Sequence, residues 1–356
     1  MKRAIQLTAL AGVAALALAA CAEAPEESGG DSSAATAVEG FKPCIVSDQG
    51  GFDDKSFNQL SFEGAQKAAD EFGAELTPVQ SQTETDYQPN MESLVGQDCS
   101  PIIAVGFNLS AATEEAATAN PDTDFILVDQ SAKAENIKPL LYDTAQAAFL
   151  AGYLSAGYSE TGKVGTFGGQ AIATVTIFMD GFKQGVEYYN EVKGKDVQVI
   201  GYSGGDKGSF TGKFEANETA KTTAQNILDQ GVDVILPVGG PIYQSAIAAI
   251  QDSGKDVALI GVDADLYESD PSTQPYVLTS ILKKMDVSTY EAVASAAKGD
   301  FDASDYIGTL ENEGVGIAPL HNFEDKVDPA LMDEVTALQD KIISGEVTVE
   351  SKIDEE

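Results

Sequence analysis

Asp48, Asp129 and Asp263 each stand at the end of a short apolar run with the composition of a buried strand. In open α/β sheets, ligands bind outside the carboxyl ends of the strands. An ionised carboxylate only accepts hydrogen bonds. These three positions therefore predict a cleft for a ligand rich in hydroxyl or N–H groups, although an aspartate at such a point also serves as a helix cap.

Other motifs that could carry chemistry are weak. Residues 201–205 fit G-x-S-x-G around Ser203, but this motif requires a helix directly after the serine and a polar, Gly-rich stretch follows. His321 is the only histidine in the sequence, so a triad would have to use it, and the chain cannot supply the several His and Cys ligands of a zinc site. Residues 208–213 miss the phosphate-loop spacing, and Phe214 replaces its Ser/Thr. We therefore expect that the protein is not an enzyme and that it binds no metal or cofactor.

The charge of the chain excludes some partners. It carries 57 acidic and 21 basic residues, a formal net charge of −36. Such an excess repels nucleic acid, and we expect none to bind. Arg3 is the only arginine in the sequence. Because arginine is the preferred clamp for carboxylates and phosphates, its absence from the body disfavours an anionic ligand.

The amino terminus resembles a lipoprotein export signal. A short cationic start precedes an Ala/Leu-rich run, and residues 18–21 read Leu-Ala-Ala-Cys. We interpret residues 1–20 as a signal peptide, Cys21 as the lipidation site and residues 21–40 as a small, acidic tether. The body is then expected to be anchored by lipid to the outer face of the cell membrane or in the periplasm. An ordinary secretory signal is the alternative.

From residue 41 onward, β-branched runs alternate with helical stretches. This βαβα alternation predicts an α/β fold with mostly parallel sheets covered by helices. The runs 101–106 and 125–129 are similar in sequence to 234–239 and 259–263, and nearly the same number of residues separates the members of each pair. The repeat predicts two doubly wound, Rossmann-like lobes.

Cys44 and Cys99 are the remaining cysteines. Cys44 opens the first predicted strand, and Cys99 lies just before the run that starts at residue 101. In a sheet of order 2-1-3-4-5 these strands are neighbours, so their Cα atoms come within disulfide range. We predict a structural disulfide at the edge of the sheet opposite the cleft. Two buried free thiols are the alternative.

The stretch 47–59, SDQGGFDDKSFNQ, followed by Glu63-Gly64, resembles the basic membrane protein family of ABC-transporter substrate-binding lipoproteins. The similarity continues in order to about residue 320, through the segments 163–169, 208–210, 230–240, 260–265 and 278–283. The family often has Asp-Gln after the second-lobe aspartate, whereas this chain has Ala264-Asp265-Leu266. The resemblance therefore assigns no ligand contact to the residues just beyond Asp263.

The resemblance implies a type I periplasmic-binding-protein fold whose chain crosses three times between the lobes. We expect lobe 1 to contain residues 41–150 and 270–305, and lobe 2 to contain residues 151–269 and 306–350. The implied function is capture of a nucleoside, with a purine nucleoside favoured, and its delivery to an ABC permease and ATPase. The expected form is a monomer.

The family resemblance also implies roles for individual residues. Phe57 and Phe210, one from each lobe, are expected to sandwich the base, and Asn58 to bind its polar edge. Asp48 and Asp129 are expected to bind base or ribose groups. The remaining ligand contacts are expected at Asp263, Lys283, Gly239 and Gly240.

Other readings stay open at this point. The ligand could be a riboflavin-like ring, a sugar or a pyrimidine nucleoside. The protein could also be a ligand-sensing receptor that passes its signal to a membrane kinase.

Overall fold

The structure is a computed structural model and describes residues 38–353. The predicted signal peptide, Cys21 and most of the tether lie outside the described residues. Within the described range no helix is long and apolar enough to cross a membrane.

Fourteen strands form between residues 44 and 317. In chain order they are β1 (Cys44–Ser47), β2 (Thr77–Gln80), β3 (Ile102–Val105), β4 (Phe125–Val128), β5 (Ile137–Tyr142), β6 (Lys163–Gly168), β7 (Gln198–Ile200), β8 (Tyr202–Gly204), β9 (Lys207–Gly208), β10 (Val234–Val238), β11 (Ala258–Asp263), β12 (Val277–Lys283), β13 (Tyr306–Gly308) and β14 (Val315–Ile317).

Residues 38–353 contain ten α-helices, nine of which lie between these strands in the chain. They are α1 (Phe57–Glu71), α2 (Tyr87–Val95), α3 (Ser110–Ala119), α4 (Thr144–Tyr158), α5 (Ala173–Lys193), α6 (Glu218–Leu228), α7 (Ile242–Ser253), α8 (Leu266–Ser269), α9 (Met285–Ala297) and α10 (Pro329–Ile343).

Two six-stranded sheets define two lobes, as the sequence repeat predicts. The order is β2-β1-β3-β4-β5-β13 in the first sheet and β7-β6-β10-β11-β12-β14 in the second. All neighbours pair in parallel except β12 and β14. The central strands β1, β3, β4, β10 and β11 are buried at every residue, which explains their unbroken apolar runs.

The chain crosses between the lobes three times, at positions that differ from the expected boundaries. Strand β5 belongs to the first sheet, but α4 packs against α5 of the second lobe, so the first crossing lies near residue 143 and not near 150. Strand β12 pairs with β11 in the second sheet, and α9 packs on α1, so the second crossing lies near residue 284 and not near 269. The third crossing joins β13 to β14, after residue 308 and not after 305.

Glycines allow α4 and α5 to pack with their backbones in contact. A Cβ atom on Gly152 would lie 2.1 Å from the Phe182 carbonyl oxygen, and one on Gly185 would lie 2.0 Å from that of Phe149. No side chain fits there without a backbone shift. This close approach fixes the middle of α5 against α4, and the first turns of α5 line the cavity described below.

Cys44 and Cys99 form the predicted disulfide, with their Cα atoms 5.8 Å apart. Strand β1 lies between β2 and β3 in parallel register, as the predicted strand order requires. Both cysteines lie at the amino-terminal edge of the first sheet and are buried. The bridge is therefore on the opposite side of the sheet from the strand ends that carry Asp48 and Asp129.

Candidate functional site

A cavity lies between the two lobes at the carboxyl ends of their strands. It encloses about 560 Å³ of space between protein atoms, part of it open to solvent. Eight of the nine ligand-binding residues predicted from the sequence line it, namely Asp48, Phe57, Asn58, Asp129, Gly239, Gly240, Asp263 and Lys283. Residues far apart in the chain are therefore brought together, as the strand-end argument predicts.

The first-lobe wall is built by two buried carboxylates around Asn58. The Asp54 carboxylate accepts the backbone N–H groups of Ser56, Asn58 and Gln59 at 2.9–3.1 Å, so it caps the start of α1. The Asp48 carboxylate accepts the N–H of Gly50 at 3.0 Å. These bonds hold the loop between β1 and α1 in a single arrangement.

Asn58 is 2% exposed, and its amide orientation is dictated by its neighbours. Its Nδ2 donates to Asp48 Oδ1 at 2.8 Å and to Asp54 Oδ2 at 3.1 Å. Ionised carboxylates accept only, so the NH₂ group must face them. The Oδ1 atom of Asn58 is left buried without a partner. A ligand donor at this point would remove an unsatisfied acceptor, which costs about 1–3 kcal/mol when buried.

A lysine links the aspartates at the ends of β4 and β11. Lys283, at the end of β12, is 3% exposed and lies 2.5 Å from Asp129 Oδ2 and 3.9 Å from Asp263 Oδ1. Its Nζ also lies 5.2 Å from the ring centroids of Phe57 and Phe178. The ammonium is thus already neutralised by protein groups, and it does not offer an unpaired positive charge to an anion.

Asp129 and Asp263 share an unusual backbone conformation. Their φ angles are +70° and +66°, in the left-handed region that aspartate tolerates better than most residues. The two residues occupy equivalent strand ends in the two lobes, which agrees with the sequence repeat. Strained conformations of this kind persist where the surrounding structure holds them, often at ligand sites.

The aromatic wall differs from the prediction in one residue. Phe57 and Phe178 line the cavity, but the second-lobe loop contributes Phe214 in place of Phe210. Phe210 instead forms an isolated bridge with Gly168 and packs partly buried against the main core. The loop turns between these two residues, so its second phenylalanine reaches the cleft, and the sequence pattern alone did not distinguish them.

Gly239 and Gly240 follow β10 and have φ angles of +144° and +52°. A Cβ atom on Gly239 would lie 2.8 Å from the Phe214 ring. Glycine at 239 therefore lets the backbone pass close to that ring and keeps main-chain groups next to the cavity.

The cavity is electrostatically poor in free positive charge. Four carboxylates, Asp48, Asp54, Asp129 and Asp263, line it together with the single ammonium of Lys283. Burial raises the pKa of Asp48 to about 6, and burial likewise raises the pKa of Asp263 to about 6 against the opposing effect of Lys283. Burial also raises the pKa of Asp54. This wall repels anions and attracts hydrogen-bond donors.

Polar contacts cross from lobe to lobe around the cavity. The Ser56 hydroxyl lies 3.1 Å from the carbonyl oxygen of Val262 and 3.2 Å from Asp263 Oδ2. On another side, Asn108 Nδ2 donates to Gln170 Oε1 at 3.3 Å. These hydrogen bonds join the two lobes at the margin of the site.

The weak enzyme motifs are not assembled into a site. Ser203 lies exposed in β8, whereas the His321 Nε2 atom lies 2.8 Å from Asp265 Oδ2 and its ring stacks on Tyr267. Among residues 38–353 no group of acidic, histidine or cysteine side chains has the arrangement of a metal site.

Sequence reasoning missed several residues of the site. Asp54 was a detectable candidate, because an aspartate two residues before Ser56 and three before a helix start fits a capping role. Phe178 lies within a helix of the second lobe and has no role in the sequence analysis, and Phe214 enters it only as the residue that replaces Ser/Thr in the phosphate-loop pattern. No local signal separates their roles from ordinary packing, since an aromatic residue on a helix or loop is usually a core residue.

Two doubly wound lobes, three crossings and a polar cavity between the strand ends define a solute-binding protein of the periplasmic-binding-protein type. The profile of the family described as ABC transporter substrate-binding protein PnrA-like matches residues 41–352. The chain belongs to this family. Its members bind substrate for ABC transporters and are not enzymes, so the chain binds a small molecule and works with ABC transporter components.

Similar proteins come from several organisms. The chain is 28% identical to the ABC transporter nucleoside-binding protein BmpA of Lactococcus lactis, over 99% of each chain. It is also 28% identical to the CD4+ T-cell-stimulating antigen of Listeria innocua, over 94% of each. A crystal structure of an ABC transporter solute-binding protein from Aeropyrum pernix is similar with a TM-score of 0.79 and 25% identity, covering 88% of this chain and 94% of that one.

Proposed function

We propose that the protein captures a nucleoside, preferentially a purine nucleoside, between its lobes and delivers it to a membrane permease. The observation that carries the proposal is the combination of aromatic side chains from both lobes with a wall of carboxylate acceptors. The family similarity and the nucleoside-binding name of the Lactococcus lactis relative support it.

The aromatic residues suit a planar base. Phe57 belongs to the first lobe, and Phe178 and Phe214 belong to the second, so closure brings rings to a base from both sides. Each base–aromatic contact contributes about 1–3 kcal/mol. We assign the second-lobe stacking role, first expected at Phe210, to Phe214.

The polar residues suit an uncharged ligand that carries several donors. Asn58 Oδ1 and the Asp48 carboxylate provide adjacent acceptors for N–H groups of a base. Asp129 and Asp263 provide acceptors for the ribose hydroxyls, with Lys283 between them and main-chain groups of Gly239 and Gly240 near by. A phosphate would meet four carboxylates without a free cation, so nucleotides are expected to bind much more weakly.

A ligand panel tests this proposal. Thermal shift and calorimetry would compare inosine, guanosine and adenosine with their 5′-monophosphates, uridine, ribose, riboflavin and amino acids. We expect the purine nucleosides to stabilise the protein most. Greater stabilisation by a phosphorylated nucleotide or an amino acid would overturn the proposal. Mass spectrometry of any ligand that co-purifies provides an independent check.

We also propose that the protein acts as a monomer anchored through lipid on Cys21, outside the cytoplasm. The Leu-Ala-Ala-Cys sequence at residues 18–21 and the binding role of the family support this location. In cells, Cys21→Ser should move the protein from the membrane fraction to the soluble fraction. Retention of the variant in the membrane would contradict the lipid anchor.

A further inference from the structure

Behind the ligand cavity lies a second, smaller chamber. It shares Asp129, Thr174 and Lys283 with the ligand cavity, so the two spaces meet at the Asp129–Lys283 ion pair. Tyr142 and Thr144, at the first crossing between the lobes, form part of its wall. The chamber therefore adjoins both the ligand site and the hinge.

The remaining wall comes from the end of the chain. Lys352 and Ile353 line the chamber, although they follow a helix of the second lobe by about ten residues. Ile353 is half-buried against the main core, as are Val347 and Val349 earlier in the same segment. Residues 345–353 thus run from the end of α10 to the back of the ligand site.

Specific hydrogen bonds hold this segment in place. The side chain of Gln184 on α5 pairs with the backbone of Glu350, donating from Nε2 to the carbonyl oxygen and accepting the N–H at Oε1, both at 2.8 Å. The N–H of Val347 donates to the carbonyl oxygen of Lys341 at 3.1 Å. A paired amide of this kind fixes the direction of an extended segment as a strand neighbour would.

The chamber has a polar lining that is incompletely satisfied. Thr144 is fully buried, and its hydroxyl has no hydrogen-bond partner. Such a group needs a partner from water or a ligand, because an orphaned buried hydroxyl is costly. Water that passed freely through this chamber would reach Asp129 and Lys283 from behind and weaken their interactions with a ligand.

We propose that residues 345–353 form a third wall of the ligand site, which closes its rear and keeps bulk water from the Asp129–Lys283 pair. The consequence is tighter ligand binding, with the half-buried Ile353 completing the wall and the exposed Lys352 beside it. The proposal rests on the proposed function only in taking the interlobe cavity as the ligand site, and it holds for any ligand that hydrogen-bonds to Asp129.

Two truncations test the wall. A chain ending at Ser351 lacks Lys352 and Ile353, and a control chain ending at Ile353 lacks only the last three residues. We expect the first to bind inosine, guanosine or adenosine about tenfold more weakly in calorimetry, a loss of about 1.4 kcal/mol, and the control to match the full chain. Equal affinity in all three chains, or an equal loss in both truncations, would overturn the proposal.

A third variant distinguishes an affinity loss caused by the missing wall from one caused by lower stability of the protein. Val349→Ala removes packing from the segment while leaving the chamber residues in place. We expect it to lower the melting temperature with little change in affinity. The chain ending at Ser351 also loses the packing of Ile353, so its melting temperature should fall by a comparable amount, but this chain should lose affinity as well. A similar loss of affinity in both variants would contradict the proposal.

The failure of the proposed function can be distinguished from that of the wall. If the full chain binds no nucleoside, the proposed function fails. Hydrogen exchange of the ligand-free proteins then tests whether residues 345–353 form the wall. Amides of residues 141–144 and 173–177 should then exchange faster in the chain ending at Ser351 than in the control. Equal exchange in the two chains would overturn the wall as well.

Discussion

Asn58 combines two fixed donors with one unused acceptor. The paired aspartates orient its amide before any ligand arrives, so no side-chain entropy is lost when a ligand binds. A pre-oriented acceptor of this kind favours ligands that present an N–H or O–H at one defined point.

Asn58→Ala should weaken nucleoside binding by about 1–3 kcal/mol, because it removes that acceptor and the partner of two buried carboxylates. Asp263→Asn should have an effect of similar size, and asparagine tolerates the left-handed backbone at this position. Calorimetry with the best-binding nucleoside measures both. Asn136→Ala is the control, since Asn136 donates to three carbonyl oxygens of the first lobe far from the cavity and its loss should reduce stability alone. Unchanged affinity in both site variants would remove these residues from the site.

The buried carboxyl groups make both binding and stability depend on pH. Burial raises the pKa values of Asp48 and Asp263 to about 6 in the folded protein, above the ordinary value of 3.8. Protonation below pH 6 replaces charged acceptors by neutral groups. Nucleoside affinity should therefore fall as the pH is lowered from 7.5 to 5.

The stability of the ligand-free protein should change in the opposite direction. A raised folded-state pKa gives a contribution that is fully present below about pH 4 and is lost as the pH rises through 6, worth at most about 3 kcal/mol for each group. Melts at pH 5 and 7.5 should show a larger change for the wild type than for Asp48→Asn. Identical changes in the two proteins would show that Asp48 does not titrate in this range.

At the scale of single elements, the loop between β9 and α6 decides which aromatic residue reaches the ligand. Phe210 pairs through its backbone with Gly168, whereas Phe214 packs against Gly239 at the cavity. The two phenylalanines are four residues apart in the chain, yet Phe210 packs against the core and Phe214 lines the cavity.

Phe214→Ala should weaken nucleoside binding by about 1–3 kcal/mol through the loss of stacking. Phe210→Ala is the matched control in the same loop and should lower stability while affinity is nearly retained. Calorimetry and thermal melts on both variants give the comparison. The reverse pattern, with binding lost only in the Phe210 variant, would restore the assignment made from the sequence.

The disulfide acts on the first lobe and not on the ligand. It closes a loop of 55 residues at the edge of the sheet away from the cavity. The double variant Cys44→Ala/Cys99→Ala should lose about 3–4 kcal/mol of stability in the chain-entropy model. Denaturant unfolding measures this loss, and the ligand affinity of the folded variant should equal that of the wild type. An affinity loss without a stability loss would contradict a purely structural bridge.

At the scale of the whole molecule, ligand capture requires the lobes to separate and close again. Three crossings connect the lobes, and hydrogen bonds of Ser56 and Asn108 also reach from one lobe to the other. Hinge closure around a ligand is the common motion of this class of protein.

Small-angle scattering should therefore report a smaller radius of gyration with nucleoside than without it. The Asn58→Ala variant, at a nucleoside concentration too low to saturate it, is the control and should stay extended. Scattering that does not change on saturation of the wild type would indicate that the free protein is already closed.

Apolar runs and their order along the chain are enough to predict the sheet scaffold and the aspartates of the cleft. Unbroken apolar runs are buried on both faces and fix the central strands, and parallel strands carry their carboxyl ends to one edge. Asp48, Asp129 and Asp263 could thus be assigned to one cleft without coordinates. The pairing of Cys44 with Cys99 followed from the same strand order.

Tertiary contacts set the lobe boundaries, the choice of the second aromatic residue, the role of Asp54 and the course of the chain end. Helix α4 is apolar on all sides, so its periodicity does not tell which lobe it joins, and the glycine contacts with α5 decide it. The choice between Phe210 and Phe214 depends on how an irregular loop turns. The position of Ile353 depends on packing between segments more than 150 residues apart. Local sequence preferences describe neighbours along the chain, whereas these features arise from contacts that form only when the lobes assemble.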